Sequence, residues 1–173
     1  MKLFTILAIL LILLFAAVLG YSVVVNPETI IESEIAVQVP RTVVYKALSD
    51  FYAYPKWSTM MKKVRLTEDP NTRISTYKYG TNLHTIQEHI QLDAAKNQIH
   101  SAQSDTHQGA MIGRLNSTIS ITNLPDGMTS ISWQIRYSAL SVGAKLLNPI
   151  LVRAQIQTAM DQNLLAFQSY IEH

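Results

Sequence analysis

The chain has 173 residues, which is enough for one folded domain and an additional segment. It contains no cysteine, so disulfides, thiol catalysis, zinc–thiolate sites and a lipid anchor on cysteine are excluded. Its 14 basic and 12 acidic residues give a net charge of +2. Because the sequence has no long basic run and no nucleic-acid-binding motif, this balance disfavours nucleic acid as a partner.

The first predicted element is an apolar helix formed by residues 3–25. These 23 residues carry no charge, and as a helix they would extend roughly 35 Å, enough for a hydrocarbon core of about 30 Å. We therefore expect an N-terminal transmembrane anchor in residues 1–27 and a single folded domain in residues 28–173. Asn26-Pro27 would form the hinge between them.

The charges that flank this segment predict its orientation. Lys2 precedes it, whereas Glu28, Glu32 and Glu34 follow it, and basic residues favour the cytoplasmic side of a membrane. The domain of this single-pass membrane protein is therefore expected to face the periplasm or the exterior. The alternative is a signal peptide cleaved after Gly20, which would leave the domain secreted or periplasmic.

Residues 35–57 are the most distinctive stretch of the domain. Their first five residues, IAVQV, alternate in the manner of a half-buried strand, and Pro40 ends that strand because it cannot donate to a sheet. The apolar stripe at 43–48 then predicts a short helix. The aromatic segment 51–57, which contains a proline, predicts a second short helix.

Several short runs between residues 63 and 137 alternate between apolar and polar side chains, which predicts strands with short connections. The segment 93–97 predicts a turn that places Leu92 opposite Ile99 on the next strand. Asp126-Gly127 is typical of a tight hairpin turn. Together with the strand before Pro40, the pattern predicts about seven strands, mostly antiparallel.

The last predicted element is a long helix over residues 142–171, in which apolar residues recur at spacings of three and four. Pro149 falls in its first turns, where proline is tolerated. This order of elements predicts an α+β domain of the helix-grip type. In that fold a curved antiparallel sheet wraps around a long C-terminal helix, and two short helices follow the first strand.

The stretch VQVPRTVVYKALSDFYAYPKW resembles the opening of START-like (SRPBCC) domains, the superfamily of polyketide cyclase/dehydrase and lipid-transport proteins. The resemblance extends over residues 30–172 in the order of elements. It implies a hydrophobic cavity between the sheet and the long helix. It implies no common catalytic set, because members of the superfamily range from enzymes to carriers.

Residues that could carry chemistry are sparse. His84 and His89 lie on opposite faces of one predicted strand and cannot share a metal, and no HExxH, P-loop, G-x-S-x-G or dinucleotide motif is present. We therefore expect no metal, no cofactor and no catalytic set.

Glu88 is the most prominent single residue, because it shares a predicted face with Ile86 and Ile90. A carboxylate among apolar side chains is costly to bury unless it is paired. It could pair with Arg136 or Arg114, or it could serve a ligand as a polar anchor or general acid/base.

The candidate binding residues are those expected to line the cavity between sheet and helix. They are Trp57, Tyr77, Tyr79, Ile86, Glu88, Ile90, Trp133, Ile135, Tyr137 and Met160.

Three functions are compatible with these observations. The one we favour is membrane-tethered binding or transport of a lipid or other hydrophobic small molecule in an internal cavity, without catalysis. The second is a cyclase- or dehydrase-type enzyme acting on a hydrophobic substrate. The third is a non-enzymatic domain that binds another protein.

Overall fold

The computed structural model describes residues 2–24, 28–79, 81–103 and 112–173. A helix, α1 (Lys2–Val24), comes first and the strand β1 (Glu28–Val37) follows it. Next come α2 (Arg41–Ser49), a 3-10 turn (Phe51–Ala53) and α3 (Tyr54–Trp57). Six strands follow: β2 (Met61–Leu66), β3 (Thr72–Tyr79), β4 (Asn82–Asp93), β5 (Gln98–Gln103), β6 (Ile112–Asn123) and β7 (Thr129–Ala139). The chain ends with α4 (Val142–Leu147), a π-helical segment (Asn148–Val152) and α5 (Arg153–Glu172).

The seven strands form one antiparallel sheet in the order β1-β7-β6-β5-β4-β3-β2. The number of strands, their antiparallel pairing and the order of helices confirm the predicted helix-grip architecture. The predicted register is also confirmed, because Leu92 pairs with Ile99 across the turn between β4 and β5. Gly127 in the last hairpin has a φ of 83°, which explains the glycine in that turn.

Helix α5 lies along β1 and covers that edge of the sheet. Gln157 Nε2 donates to the carbonyl of Glu32 at 3.1 Å, and Gln168 Nε2 donates to the carbonyl of Ala36 at 3.0 Å. Side chains of the helix thus satisfy backbone acceptors of the edge strand, which removes part of the exposed ladder that edge strands otherwise present.

The core has two parts on the face of the sheet that α5 covers, here called the inner face. The larger part joins β1, the central strands and α5 to the short helices through Val44, Leu48 and Phe51. The smaller part packs Met160 of α5 against Ile31, Ile135 and Tyr137 of the β1–β7 pair. Odd-numbered residues of β7 therefore point inwards, as the alternation predicts.

Two elements differ from their predicted bounds. Strand β1 begins at Glu28 rather than at residue 35, because Ile31 and Ser33 point inwards while Glu32 and Glu34 point outwards. The predicted helix over 142–171 is interrupted by the π-helical segment, which contains Pro149. Proline removes a backbone donor and clashes with the preceding turn, so a regular helix cannot continue unchanged through this position.

Helix α1 coincides with the predicted apolar helix. Among the residues that the structure describes, no helix combines the length and the apolar character needed to cross a bilayer. The hinge at Asn26-Pro27 lies outside the described residues.

Candidate functional site

Arg73 on β3 and Glu88 on β4 form a buried ion pair on the inner face. The two residues are directly opposite each other in the β3–β4 register. Arg73 Nε donates to Glu88 Oε2 at 2.8 Å, and each side chain is 5% exposed. Two buried charges that are paired in this way offset part of the cost of leaving water.

Two hydroxyl groups also donate hydrogen bonds to the Glu88 carboxylate. Ser75 Oγ donates to Oε2 at 2.5 Å, and Tyr77 OH donates to Oε1 at 2.9 Å. Residues 73, 75 and 77 alternate along β3, so all three side chains lie on the same face as Glu88. Both carboxylate oxygens therefore accept hydrogen bonds from the protein itself.

The Arg73 guanidinium lies against two aromatic rings, 4.7 Å from the centroid of Phe51 and 5.1 Å from that of Tyr54. Burial is the largest single effect on the pKa of Arg73 and would lower it, but the charge and hydrogen bond of Glu88 together with the neighbouring Tyr77 and Tyr54 outweigh burial, so the pKa is raised. The side chain therefore stays cationic. Its Nη1 atom is buried and has no hydrogen-bond partner among the described residues.

Tyr54 connects this ion pair to the aromatic cluster at the end of α3. Burial raises the pKa of Tyr54, and the charge of Arg73 offsets part of that increase. Its hydroxyl donates to the carbonyl of Leu48 at 2.9 Å. Its ring centroid is 4.7 Å from that of Trp57, which in turn is 5.0 Å from that of Phe167 on α5. The aromatic segment therefore joins the short helices to α5.

Among the side chains that the structure describes, seven on the inner face of β3–β7 are only half-buried, although the same face also carries fully buried residues such as Ile90 and Ile119. The strand registers place these side chains on the side of Glu88 and Ile135. One of them, Trp133, donates from Nε1 to Ser117 Oγ at 2.7 Å. Because they lie on the inner face and still retain exposure, this part of the inner face is only partly covered, and we call it the open part of the inner face. The seven are Tyr77, Ile86, Ser101, Gln103, Leu115, Ser117 and Trp133.

The predicted lining residues divide into three groups. Half-buried residues in the open part of the inner face or in the aromatic cluster are Trp57, Tyr77, Ile86 and Trp133. Buried residues that belong to the core or to the ion pair are Glu88, Ile90, Ile135, Tyr137 and Met160. Tyr79 lies on β3, but its side chain is outside the described part of the structure. Their role in binding stays a prediction.

The predicted partners of Glu88 are wrong. Arg136 is exposed, and its Nη1 lies 3.7 Å from Oε1 of Glu28. Arg114 is also exposed and lies at a bulge, where its φ is 48°. The true partner, Arg73, was missed, and so was Ser75. The sequence did contain the signal, because pairing Tyr79 with Asn82 in a tight hairpin places Arg73 directly opposite Glu88, and this is the register of β3 and β4.

No group of three residues that could hold a metal ion occurs among the side chains that the structure describes. His89 and His100 lie on the outer face, where they line a shallow hollow of about 300 Å³ with Gln91 and Thr118. His100 Nδ1 lies 3.0 Å from Thr118 Oγ1. This hollow is separated from the ion pair by the sheet.

Residues 28–172 match the profile of the family described as polyketide cyclase / dehydrase and lipid transport. A search of curated proteins finds no match.

Solved structures with the same fold come from several bacteria. The Zhui aromatase/cyclase from Streptomyces sp. R1128 superimposes with a TM-score of 0.65 and 18% identity, covering 84% of this chain and 92% of that one. A START superfamily protein from Mycobacterium smegmatis gives a TM-score of 0.60 at 14% identity, covering 83% and 94%. A protein from Thermus thermophilus gives 0.69 at 12% identity, covering 83% and 97%. At these identities the similarity establishes the fold alone.

Proposed function

Because the chain belongs to the polyketide cyclase / dehydrase and lipid transport family, we propose that it binds a hydrophobic small molecule or lipid between its sheet and α5. The observation that carries this proposal is the set of half-buried side chains on the inner face, which includes Ile86, Leu115 and Trp133. Large apolar side chains that remain accessible on a covered face are what a hydrophobic ligand would bury.

The polar groups beside these residues suggest how a ligand would be oriented. Arg73 Nη1 is a buried donor without a partner in the described part of the chain. An unsatisfied buried donor costs about 1–3 kcal/mol. A ligand with an acceptor oxygen at one end would recover that cost, while its apolar part would contact Ile86 and Trp133. The ligand class is therefore an apolar molecule with one polar, oxygen-bearing end.

We propose that the protein is a carrier rather than an enzyme. A general base needs a free lone pair directed at the substrate. Both oxygens of Glu88 already accept hydrogen bonds, from Arg73, Ser75 and Tyr77. Three of its roughly four acceptor sites are therefore occupied and the side chain is buried, which supports a structural role for this carboxylate over proton abstraction.

Tyr77 is the one residue that favours the second candidate function, a cyclase- or dehydrase-type reaction. Its ring is half-buried on the inner face, and its hydroxyl donates to Glu88. A tyrosine in that position is able to exchange a proton with a bound substrate. If the protein is an enzyme, Tyr77→Phe should lower turnover severalfold while ligand binding is retained.

We also propose that residues 3–25 tether the domain to a membrane, with the domain on the non-cytoplasmic side. The support is the absence of charge in this segment and the exposure of its large apolar side chains, such as Phe4 at 79% and Ile12 at 67%. A tether would hold the binding site close to a source of hydrophobic ligands.

The ligand-binding proposal is tested by placing a large side chain in the open part of the inner face. Ser101 and Ala102 are neighbours on β5 and point to opposite faces, since Ser101 pairs with Ile90 and Ala102 pairs with the exposed His89. The full chain, Ser101→Phe and Ala102→Phe are purified in mild detergent, and bound small molecules are identified by native mass spectrometry and solvent extraction. We expect a ligand with wild type and Ala102→Phe, and its loss with Ser101→Phe.

Two outcomes would overturn the proposal. One is the absence of any bound small molecule from the wild-type chain. The other is equal ligand occupancy in Ser101→Phe and wild type, which would place the ligand elsewhere. The two variants add the same side chain to the same strand, so a general loss of stability would affect both.

A further inference from the structure

The segment around α4 exposes an unusual amount of apolar surface. Five large apolar side chains are exposed within twelve residues: Leu140 by 52%, Val142 by 39%, Leu147 by 40%, Ile150 by 72% and Leu151 by 47%. We call these five residues the α4 patch. Contiguous exposed apolar surface of this kind marks an interaction site on a folded protein.

The spacing within this segment places much of the patch on one side. Leu147, Ile150 and Leu151 are three and four residues apart, so their side chains lie together on one face of the helical segment. The opposite side of the segment is held by the domain. Asn148 accepts a hydrogen bond from Tyr137 and donates to Thr29 Oγ1 at 2.7 Å, and Val152 packs against the smaller core cluster. These contacts attach the segment that carries the patch to the β1–β7 pair.

Along the chain, the charged residues next to the patch are basic, and the nearby carboxylate at the start of β1, Glu28, pairs with Arg136 at 3.7 Å. Between residues 141 and 160 the only charged side chains are Lys145 and Arg153, and the first carboxylate beyond β7 is Asp161. Arg153 is exposed. An apolar surface flanked by basic residues is the combination that binds the interfacial region of a bilayer containing anionic lipid.

The position of the patch relative to α1 supplies the second argument. Cα atoms of α1 come within 8 Å of those of α4. Along the chain, four residue steps separate Val24 from Glu28, so the end of α1 lies at most about 14 Å from the start of β1. Strand β1 begins beside α4, since Thr29 contacts Asn148. The patch therefore lies on a segment that α1 approaches.

We propose that the α4 patch docks onto the surface of an anionic lipid bilayer, beside the point where α1 meets it. This inference rests on the proposed tether and goes beyond it, because it fixes which end of the domain faces the lipid. Docking would bury Ile150 and Leu151 in the headgroup boundary and would bring Lys145 and Arg153 to the phosphates. The smaller core cluster would then face the membrane, and the two short helices would lie at the far end of α5.

Spin labels measure the depth of individual positions in the full chain. The sequence has no cysteine, so Ile150→Cys and Leu165→Cys each give one labelled position. Leu165 is 58% exposed on α5 and lies about 22 Å along the helix from Ile150, which makes it a matched control. Both labelled chains are reconstituted in phosphatidylcholine vesicles with and without phosphatidylglycerol, and collision with oxygen is compared with collision with a water-soluble nickel chelate.

We expect the ratio of oxygen to nickel collisions to be severalfold higher at 150 than at 165 in vesicles containing phosphatidylglycerol. The added changes Lys145→Gln and Arg153→Gln should lower the ratio at 150. Equal ratios at the two positions would overturn the proposal. So would a label at 150 that is shielded from both reagents, as packing by α1 would produce, or dipolar broadening, as contact with a second copy would produce.

Failure of this proposal can be told apart from failure of ligand binding. Ser101 lies on the inner face of β5, away from the patch, so Ser101→Phe should leave the collision ratio at 150 unchanged. Loss of bound ligand with normal docking would concern the inner face alone. Normal ligand occupancy with a water-exposed label at 150 would reject the docking surface alone.

Discussion

Arg73 and Glu88 lie directly opposite each other on neighbouring antiparallel strands, and both charged side chains are buried. The pair is specified by strand register rather than by proximity along the chain, since fifteen residues separate its members. It also contacts the aromatic rings at the end of the short helices. One interaction therefore couples the sheet to the segment that closes its end.

Removing one member of this pair should be far more harmful than removing both. Arg73→Met leaves a buried carboxylate without its cation, which should lower the free energy of unfolding by about 3–5 kcal/mol. The double change Arg73→Met with Glu88→Leu should recover most of that loss, because no buried charge remains. Urea unfolding of the full chain gives the comparison. Lys96→Met, at the 72%-exposed end of an ion pair with Asp93, should change stability by under about 0.5 kcal/mol.

A double variant as unstable as Arg73→Met would show that the pair contributes through packing rather than through charge.

Tyr54 should make the fold sensitive to alkaline pH. Its folded-state pKa is raised by burial, so the folded state keeps the proton above pH 10 while the unfolded state loses it. The stability that depends on this proton is complete below pH 10 and is lost as pH rises through the folded pKa. At pH 7 we expect Tyr54→Phe to be about 1 kcal/mol less stable than wild type, because its hydrogen bond to Leu48 is lost.

The difference between wild type and Tyr54→Phe should shrink as pH rises above 10, measured as urea midpoints at pH 7 and at alkaline pH. Tyr52→Phe serves as the control, because that neighbouring ring is 61% exposed. A stability difference between wild type and Tyr54→Phe that stays constant over this pH range would show that the Tyr54 hydroxyl is not the titrating group.

Asn163 should be required for attaching the end of α3 to α5. Its Oδ1 accepts from Ser58 Oγ at 2.7 Å and from the Thr59 backbone N–H at 3.0 Å, and its side chain is buried. Asn163→Leu leaves both donors unsatisfied, so we expect a loss of about 2 kcal/mol in the free energy of unfolding. Gln162→Leu, at the exposed neighbouring position, should cost much less. Equal losses for the two variants would argue against this network.

Two glycines should respond in opposite directions to the same substitution. Gly127 has a φ of 83°, so Gly127→Ala should destabilise the protein by about 1–2 kcal/mol through left-handed backbone strain. Gly143 lies within α4, and a Cβ added there would meet nothing within 4 Å, so Gly143→Ala should stabilise the protein by about 0.5–1 kcal/mol. Thermal unfolding of both variants gives the comparison. A stabilised Gly127→Ala would mean that the hairpin turn relaxes to another conformation.

Much of the fold could be predicted from alternation and turn residues. The pairing of Leu92 with Ile99 and the shared inner face of β7 follow directly from the two-residue period of a strand. The first half of β1 was harder to recognise. Its outward glutamates include Glu32, which accepts from Gln134 on β7, so charges outside the core obscured a strand whose inner residues are apolar or small.

The candidate site was predictable only in part. Glu88 stands out because a carboxylate occupies an apolar face, but its partner depends on the register between β3 and β4, which alternation within each strand does not specify. The alternation of β7 already disfavours Arg136 as the partner of Glu88, since even-numbered residues of β7 face outwards. No local pattern specifies the bulge at Arg114. Pro149 does mark where the last helix is interrupted, but proline alone does not specify that the interruption takes the π-helical form.

The strand order has a consequence for how the chain is made. β1 is the first strand to be synthesised, yet its only sheet neighbour in the described structure is β7, the last. A ribosome that adds about 5–20 residues per second needs on the order of ten seconds to produce the segment between them. During that time β1 has no strand to pair with, and its apolar side chains are not yet covered by the sheet and α5. Chaperones that hold extended, half-apolar segments should therefore bind the nascent chain while its first strand is still unpaired, and dissociate after β7 emerges.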